Sequence, residues 1–341
     1  MSSVTQYADF TDLYSGLFNR VREQTGVTAT INQAKNYINT ALYDIHIGFE
    51  EKFPWAERTS VLITQPPYST GTVTISQGGT TLTGTGTAWN TANVFGANNV
   101  RAGGKIVIDG TNAVYTISSV SSDTAAVLAS RYVGADVTAG SYSYYEDEYA
   151  LASDFMRPLD WQTFDDRREI IIISRRELRN RVVRNNITGT PERACIVDAA
   201  FSGNTTPVRR VLLTPAPSRA MNIPYSYVTS NLAVTAAGAG AAQLSADSDE
   251  PIVPLRYRHV ILLHALANWY RDRKDDDRYV AVKAEYNDLL GRIVNSTEIG
   301  QSKPRFAPRV SGYMARARRP YDGGGGRQRY SNNDKFDQML E

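Results

Sequence analysis

The histidines and the cysteine are the first residues to consider for chemistry, and their spacing is uninformative for catalysis. His259 and His264 are five positions apart, about 140° around a helix, so they do not share a face as a zinc-binding pair four apart does. We interpret them as ordinary core or interface histidines. His46 has no acidic or cysteine neighbour at ligand spacing, and Cys195 is best explained as a small buried apolar residue. The sequence therefore predicts no metal site and no cofactor.

Carboxylates offer a second route to chemistry. They cluster at residues 146–148, 165–166, 247–250 and 275–277. A glycosidase needs only two carboxylates at the right separation, so a hydrolase stays open, with Glu148 and Asp166 as the residues to test. Solvated loops and helix caps are the better account. The Asp triplet at 275–277 lacks the Gly and the distal Glu of a calcium loop, which leaves capping as its expected role.

The most informative charge feature is a basic arm, residues 301–341. Residues 303–330 have a net charge of +7, against −2 for residues 331–341 and −3 for residues 1–302. Arginines and tyrosines mix in this arm, a composition that suits either a phosphate backbone or an acidic protein groove. The candidate docking residues are Arg305, Arg309, Tyr313, Arg316, Arg318, Arg319, Tyr321, Arg327, Arg329 and Tyr330.

Composition narrows the class of protein. The chain has 341 residues, of which 42% are apolar and 21% charged, which excludes wholesale disorder and collagen-like repeats. A single cysteine rules out an intrachain disulfide and suits a reducing compartment. The apolar runs fall far short of the ~20 residues that a membrane helix needs, so we expect neither secretion nor a membrane span.

Hydrophobic periodicity of 3.6 residues predicts two helices near the N-terminus. The first is expected from about Tyr7 to Glu23. The second is expected to begin at a capping box of Thr30 and Gln33 and to run to about Lys52.

Two further helices are predicted near the C-terminus, one after Pro251 and Pro254 and one after the Asp triplet at 275–277. Their short connection requires an antiparallel pair. None of the four predicted helices is long enough to be stable alone, so we expect them to pack together as a helical platform. The residues predicted to form its core are Tyr14, Leu17, Ile38, Leu42, Ile45, Leu263, Ala267, Tyr286 and Leu289.

Between these helix pairs the sequence is rich in short β-type runs. Gly78-Gly79 and Asp109-Gly110 occupy hairpin positions and predict a small sandwich or barrel that ends near Tyr145. A second β region is expected from about residue 149 to residue 244, with its best strands over 169–174, 194–197, 209–214 and 225–228. Its Ala/Gly-rich stretch, 234–242, is expected to be a loop.

The predicted fold class is therefore α+β: a four-helix platform from both chain ends, a long inserted β-rich region and an extended arm. The expected divisions are N-terminal helices 1–58, an inserted β module 59–146, a second β region 147–250, a C-terminal helical hairpin 251–300 and the basic arm 301–341.

The order of these parts resembles the head-to-tail adaptor (connector) proteins of tailed bacteriophages. The resemblance is carried by Ala41-Leu42-Tyr43-Asp44-Ile45 with Phe53-Pro54-Trp55, by residues 209–217 with 223–227, and by residues 249–254 leading into 262–270 and 286–290. In addition, residues 71–75 with 83–89 are similar to a small β module that recurs in phage neck and tail proteins. Together these stretches extend over most of residues 1–300.

The resemblance implies a non-enzymatic structural protein of the virion neck, assembled in the host cytoplasm. About twelve copies would form a homo-oligomeric ring beneath the portal protein. The basic arm would dock on the portal, the β regions would project toward tail or nozzle proteins, and genomic DNA would pass through the channel, with no membrane contact.

Two other functions are left open by the residues themselves. One is a neck or tail hydrolase that acts on the bacterial envelope through carboxylates of the β regions. The other is a nucleic-acid-binding protein that works through the basic arm.

Overall fold

The computed structural model describes residues 7–22, 28–49, 53–111, 113–161, 169–181, 188–199 and 208–301. The fold is α+β, with 31% helix and 34% strand. The described α-helices are α1 Phe10–Val21, α2 Thr28–Phe49, α3 Arg175–Arg181, α4 His259–Asp272 and α5 Asp276–Gln301. The described strands are β1 Glu57–Ile63, β2 Thr72–Ile75, β3 Thr81–Thr85, β4 Lys105–Ile108, β5 Val114–Ser122, β6 Ala125–Leu128, β7 Val137–Gly140, β8 Tyr142–Tyr145, β9 Glu148–Ala150, β10 Phe155–Trp161, β11 Ile171–Ile172, β12 Thr188–Gly189, β13 Arg193–Ala199, β14 Val208–Thr214, β15 Ala216–Pro217, β16 Asn222–Thr229, β17 Ala233–Val234, β18 Gly240–Ala241 and β19 Glu250–Pro251.

Helices α1, α2, α4 and α5 share one hydrophobic core. Helix α4 is its centre, since every side chain from Val260 to Tyr270 is buried. Helices α4 and α5 are antiparallel, as their short connection requires: Tyr270 near the end of α4 lies under the Arg278 guanidinium, and His264 stacks on Tyr286 further along α5. The chain ends therefore build one helical platform.

Two predicted helix starts have different outcomes. Asp275 accepts a hydrogen bond from the Arg278 backbone N–H at 3.3 Å, so capping by the Asp triplet is confirmed. The capping box at Thr30 is wrong, because α2 already begins at Thr28 and the Gln33 amide donates to the Tyr37 hydroxyl instead. Apolar periodicity locates a helix face better than it locates the first turn.

The predicted small β module is a curled seven-stranded antiparallel sheet with the order β7-β2-β3-β6-β5-β4-β8. The turns at Gly78-Gly79 and Asp109-Gly110 connect β2 to β3 and β4 to β5, as predicted. The two edge strands, β7 and β8, are separated only by Ser141. Because one residue cannot span a flat sheet of seven strands about 4.8 Å apart, the sheet curls until its edges approach.

The second β region consists of a three-stranded sheet, β1-β16-β10, and a four-stranded sheet, β11-β13-β14-β9, around a shared core. Most of strand β1 lies in the stretch assigned to the inserted module, 59–146, yet β1 pairs with β16 along all seven residues. The alternating residues around Val61 indicate a strand but do not reveal which strand it pairs with. In the structure Leu62 packs into the hydrophobic core that the two sheets of the second β region share.

Two predictions in this region are wrong. The Ala/Gly-rich stretch 234–242 is not a plain loop, because β17 and β18 pair there and join β19. Small side chains give no alternating signal, and the pairing follows from Leu232 and Leu244 packing into the helical core. The strand expected over 169–174 shrinks to Ile171–Ile172, both exposed.

Gly71→Ala should destabilise the protein far more than Gly78→Ala. Both glycines have a positive φ, +86° and +78°, which costs another residue about 1–2 kcal/mol. A Cβ at Gly71 would also lie 2.6 Å from the Thr85 carbonyl oxygen, whereas nothing lies within 4 Å at Gly78. The clash should add about 1–3 kcal/mol. Urea unfolding measures both variants, and equal losses would contradict the close approach of Gly71 to the backbone of strand β3.

Candidate functional site

The predicted platform residues converge on the helical core. Leu17, Ile38, Leu42, Ile45, Leu263 and Tyr286 are buried members of that core, Tyr14 and Leu289 are partly buried against it, and Ala267 is buried on α4. These residues come from all four helices, so the core joins the two ends of the chain.

The ten arm residues lie outside the described residues. They are Arg305, Arg309, Tyr313, Arg316, Arg318, Arg319, Tyr321, Arg327, Arg329 and Tyr330. Their docking role stays a prediction.

Arg258, which the sequence did not single out, ties the residues before α1 to the segment that leads into α4. Its side chain is only 8% exposed. Its guanidinium donates to the carbonyl oxygens of Val253 at 2.9 Å and Pro251 at 3.1 Å, and to the Glu250 carboxylate at 2.9 Å.

The same guanidinium also donates to the carbonyl oxygens of Tyr7 and Ala8, which lie 251 and 250 positions earlier in the sequence. These two residues immediately precede Asp9, the cap of α1. A buried guanidinium needs a partner for each donor. Arg258 therefore fixes the start of α1 against the segment that leads into α4.

The histidines have structural environments. His264 Nε2 lies 2.8 Å from Asp44 Oδ2, and its ring stacks on Tyr286. His259 stacks on Tyr7. Burial lowers the pKa of both imidazoles, which favours their neutral forms. His46 Nε2 lies 2.8 Å from the Thr229 carbonyl oxygen and so joins α2 to β16.

Of the acidic clusters, residues 146–148 form the most unusual site. They lie in the joint between the curled sheet and the second β region. Glu146 is 5% exposed. Its carboxylate is held by the Arg101 guanidinium and accepts the Tyr144 hydroxyl at 2.7 Å. The hydrogen bond to Glu146 is the largest cause that raises the pKa of Arg101, which favours the charged guanidinium.

Asp147 is the titratable group of this joint. Its side chain is 15% exposed, and the Lys105 ammonium lies 4.0 Å from Oδ1. Burial raises the pKa of Asp147 to about 6, against a smaller lowering by Lys105. The neighbouring Glu148 lies 3.8 Å from Arg210 of β14. Three acidic and three basic side chains thus balance one another where the two β regions meet.

The acidic cluster at residues 247–250 lies in the segment that leads into α4. Asp249 accepts the backbone N–H groups of Ser245 and Ala246, which lowers its pKa. Asp247 pairs with Lys35 of α2 at 2.5 Å. Residues 165–166, and with them Asp166, lie outside the described residues.

Cys195 is buried on β13, as expected for a small apolar residue. Within the ranges that the structure describes, no group of three or more His, Cys, Asp or Glu side chains is arranged to hold a metal ion. None of the described helices combines the length and the apolar character needed to cross a membrane.

Comparison with known proteins adds no family. No protein-family model matches the chain, and none of the curated proteins matches it significantly.

Arg258→Met should lower the free energy of unfolding by about 3 kcal/mol, because the carbonyl oxygens of residues 7, 8, 251 and 253 lose this buried donor. Arg256→Met is the matched control, since Arg256 is exposed and contacts only the Tyr257 ring among the described contacts. Urea unfolding measures both variants. Similar losses of unfolding free energy for the two variants would show that Arg258 does not hold the start of α1 against the segment that leads into α4.

Asp147→Asn should become more stable relative to the wild type as pH rises from about 4 to about 7. Between its ordinary pKa and about 6 the folded protein holds a proton that the unfolded chain loses. The stability that protonated Asp147 contributes is therefore present below about pH 4 and lost as pH rises through about 6, a total of about 3 kcal/mol. Denaturant unfolding across this pH range measures the difference. A flat or falling difference would contradict the burial of Asp147.

Proposed function

We propose that the protein is a structural connector of a tailed bacteriophage, a subunit of the ring that joins the portal to the tail and surrounds the DNA channel. The observation that carries the proposal is the helical platform built from both chain ends. The β regions form one long excursion out of that platform, which is the order of parts that the sequence resemblance implies for head-to-tail adaptors.

The engagement of the reactive side chains supports a structural role. Glu146 is bound by Arg101, Glu148 lies beside Arg210, and His264 is bound to Asp44. These contacts join elements that are distant in sequence. These acidic and imidazole side chains therefore stabilise the fold, and we propose no enzymatic activity.

The surface of the platform is suited to contact with neighbouring copies. Tyr43 and Ile47, one turn apart on α2, are 56% and 46% exposed, and Val280 on α5 is 65% exposed. Exposed large apolar side chains on adjacent turns are a feature of interaction surfaces. In the ring of about twelve copies that we propose, these helices face the neighbouring subunits.

The basic arm and the rest of the chain differ in the sign of their net charge, and we assign them different roles. The basic arm docks on the portal. Residues 1–302 line a channel that holds DNA only weakly, because their net charge of −3 does not attract phosphates. The β regions extend toward the tail proteins.

A chain that ends at residue 301 should keep its fold and lose its binding to the portal. The three hydrophobic cores of the described residues lie before that residue, so the thermal unfolding midpoint should stay close to that of the full chain. The measurement is co-sedimentation with portal rings at several salt concentrations. Full-length protein with Arg316, Arg318 and Arg319 changed to Ala is the matched variant and should bind more weakly.

Unchanged portal binding by the truncated chain would contradict the docking role of the arm. Loss of salt-dependent DNA binding, with portal binding intact, would assign the arm to nucleic acid instead.

A further inference from the structure

A short hairpin of the curled sheet, residues 91–99, carries two adjacent apolar side chains at its tip. Val94 is 92% exposed and Phe95 is 45% exposed. Single exposed apolar side chains are ordinary on soluble proteins, but two at the apex of a projecting turn need a reason. We call this pair the Val94–Phe95 tip.

Backbone hydrogen bonds hold the hairpin. The Asn99 N–H donates to the Thr91 carbonyl at 3.0 Å, and the Asn93 N–H donates to the Ala97 carbonyl at 2.8 Å. The turn closes where the Gly96 N–H donates to the Asn93 carbonyl at 3.1 Å.

The Asn93 side chain fixes the tip in place. Its Oδ1 accepts the Phe95 N–H at 2.9 Å, and its Nδ2 donates to Gln65 Oε1 at 2.8 Å. The Gln65 N–H in turn donates to the Tyr149 hydroxyl, which donates to the Glu146 carbonyl. The tip is therefore anchored on the joint between the two β regions.

The other polar side chains of the hairpin are also used internally. Asn98 Nδ2 donates to Asn90 Oδ1 at 2.9 Å, and Asn99 Nδ2 donates to the Ala88 carbonyl at 2.8 Å. The Asp123 carboxylate accepts from the Asn90 N–H and the Thr91 hydroxyl. These bonds hold the base of the hairpin and leave the apolar apex as the part that projects.

The surroundings of the tip in sequence are uncharged. From Thr59 to Val100 the chain has no Asp, Glu, Lys, Arg or His. A binding surface in this stretch cannot rely on ion pairs. The tip can instead bury apolar surface against a partner. Because the hairpin is preorganised, binding should cost little conformational entropy.

We propose that the Val94–Phe95 tip inserts into an uncharged apolar pocket of a tail protein. The location of the partner rests on the proposed connector function. A protein pocket is favoured over a lipid surface because helices and loops that bind membranes through a few apolar side chains also use basic residues, and residues 59–100 contain none.

The direct test is photo-crosslinking during infection, with the full-length protein carrying benzoylphenylalanine in place of Phe95. We expect one adduct, on a tail protein, mapped to an uncharged apolar segment, and formed equally in virions kept at ~0.05 M and ~0.5 M NaCl. The same substitution at Val133, which is 72% exposed in the connection between β6 and β7, is the control and should give no such adduct.

Three outcomes would overturn the proposal: no adduct although the protein lies in rings on the portal, an adduct with another copy of this chain, or an adduct with phospholipid. In the first two the connector function stands and only the role of the tip fails. Absence of the protein from the neck would overturn both.

The double variant Val94→Ser/Phe95→Ser gives a second readout that does not depend on the probe. It should leave rings on the portal and reduce the fraction of particles with tails by at least about tenfold, as expected when apolar anchors of an interface are removed. Val133→Ser should leave tails at the wild-type level. An equal tail fraction for both variants would contradict the proposal.

Discussion

The fold depends on one constraint, which is that the residues before α1 and the segment that leads into α4 must meet around a buried guanidinium. Arg258 donates to carbonyl oxygens at residues 7 and 8 and at residues 251 and 253, so some 250 positions of sequence are closed by one side chain. A buried cation is costly unless every donor is satisfied. Both segments must therefore be in place together, and the excursion between them leaves and returns at a fixed position on the platform.

The excursion follows from that closure. Strand β1 leaves α2 and pairs with β16, which returns to the platform beside His46, so the outward and inward paths run side by side. The curled sheet is inserted further out, and its joint is held by Glu146 and Tyr149. From there Gln65 and Asn93 extend the same hydrogen-bonded path to the apolar tip. A connector needs such a continuous path between two partners, and the proposed function uses its two ends.

Sequence periodicity predicted the four platform helices, their core residues and the hairpin turns of the curled sheet, because burial of one helix face and glycine at turns leave strong local signals. It missed what depends on distant partners. Nothing in the sequence around Arg258 indicates that its guanidinium binds carbonyl oxygens about 250 positions away. The sequence of β1 does not reveal that it pairs with β16. The strands around 234–242 follow from the packing of neighbouring leucines. The raised pKa of Asp147 likewise comes from burial between two sheets, while the basic arm lies outside the described residues.

The most direct test of the connector function is electron microscopy of complexes isolated through a tag on this protein from an infected-cell lysate. A connector should appear as a rotationally symmetric ring seated on a portal, with the helical platform against the portal and the curled sheet on the opposite side. Isolated subunits bound to envelope fragments, or to nucleic acid alone, would contradict it.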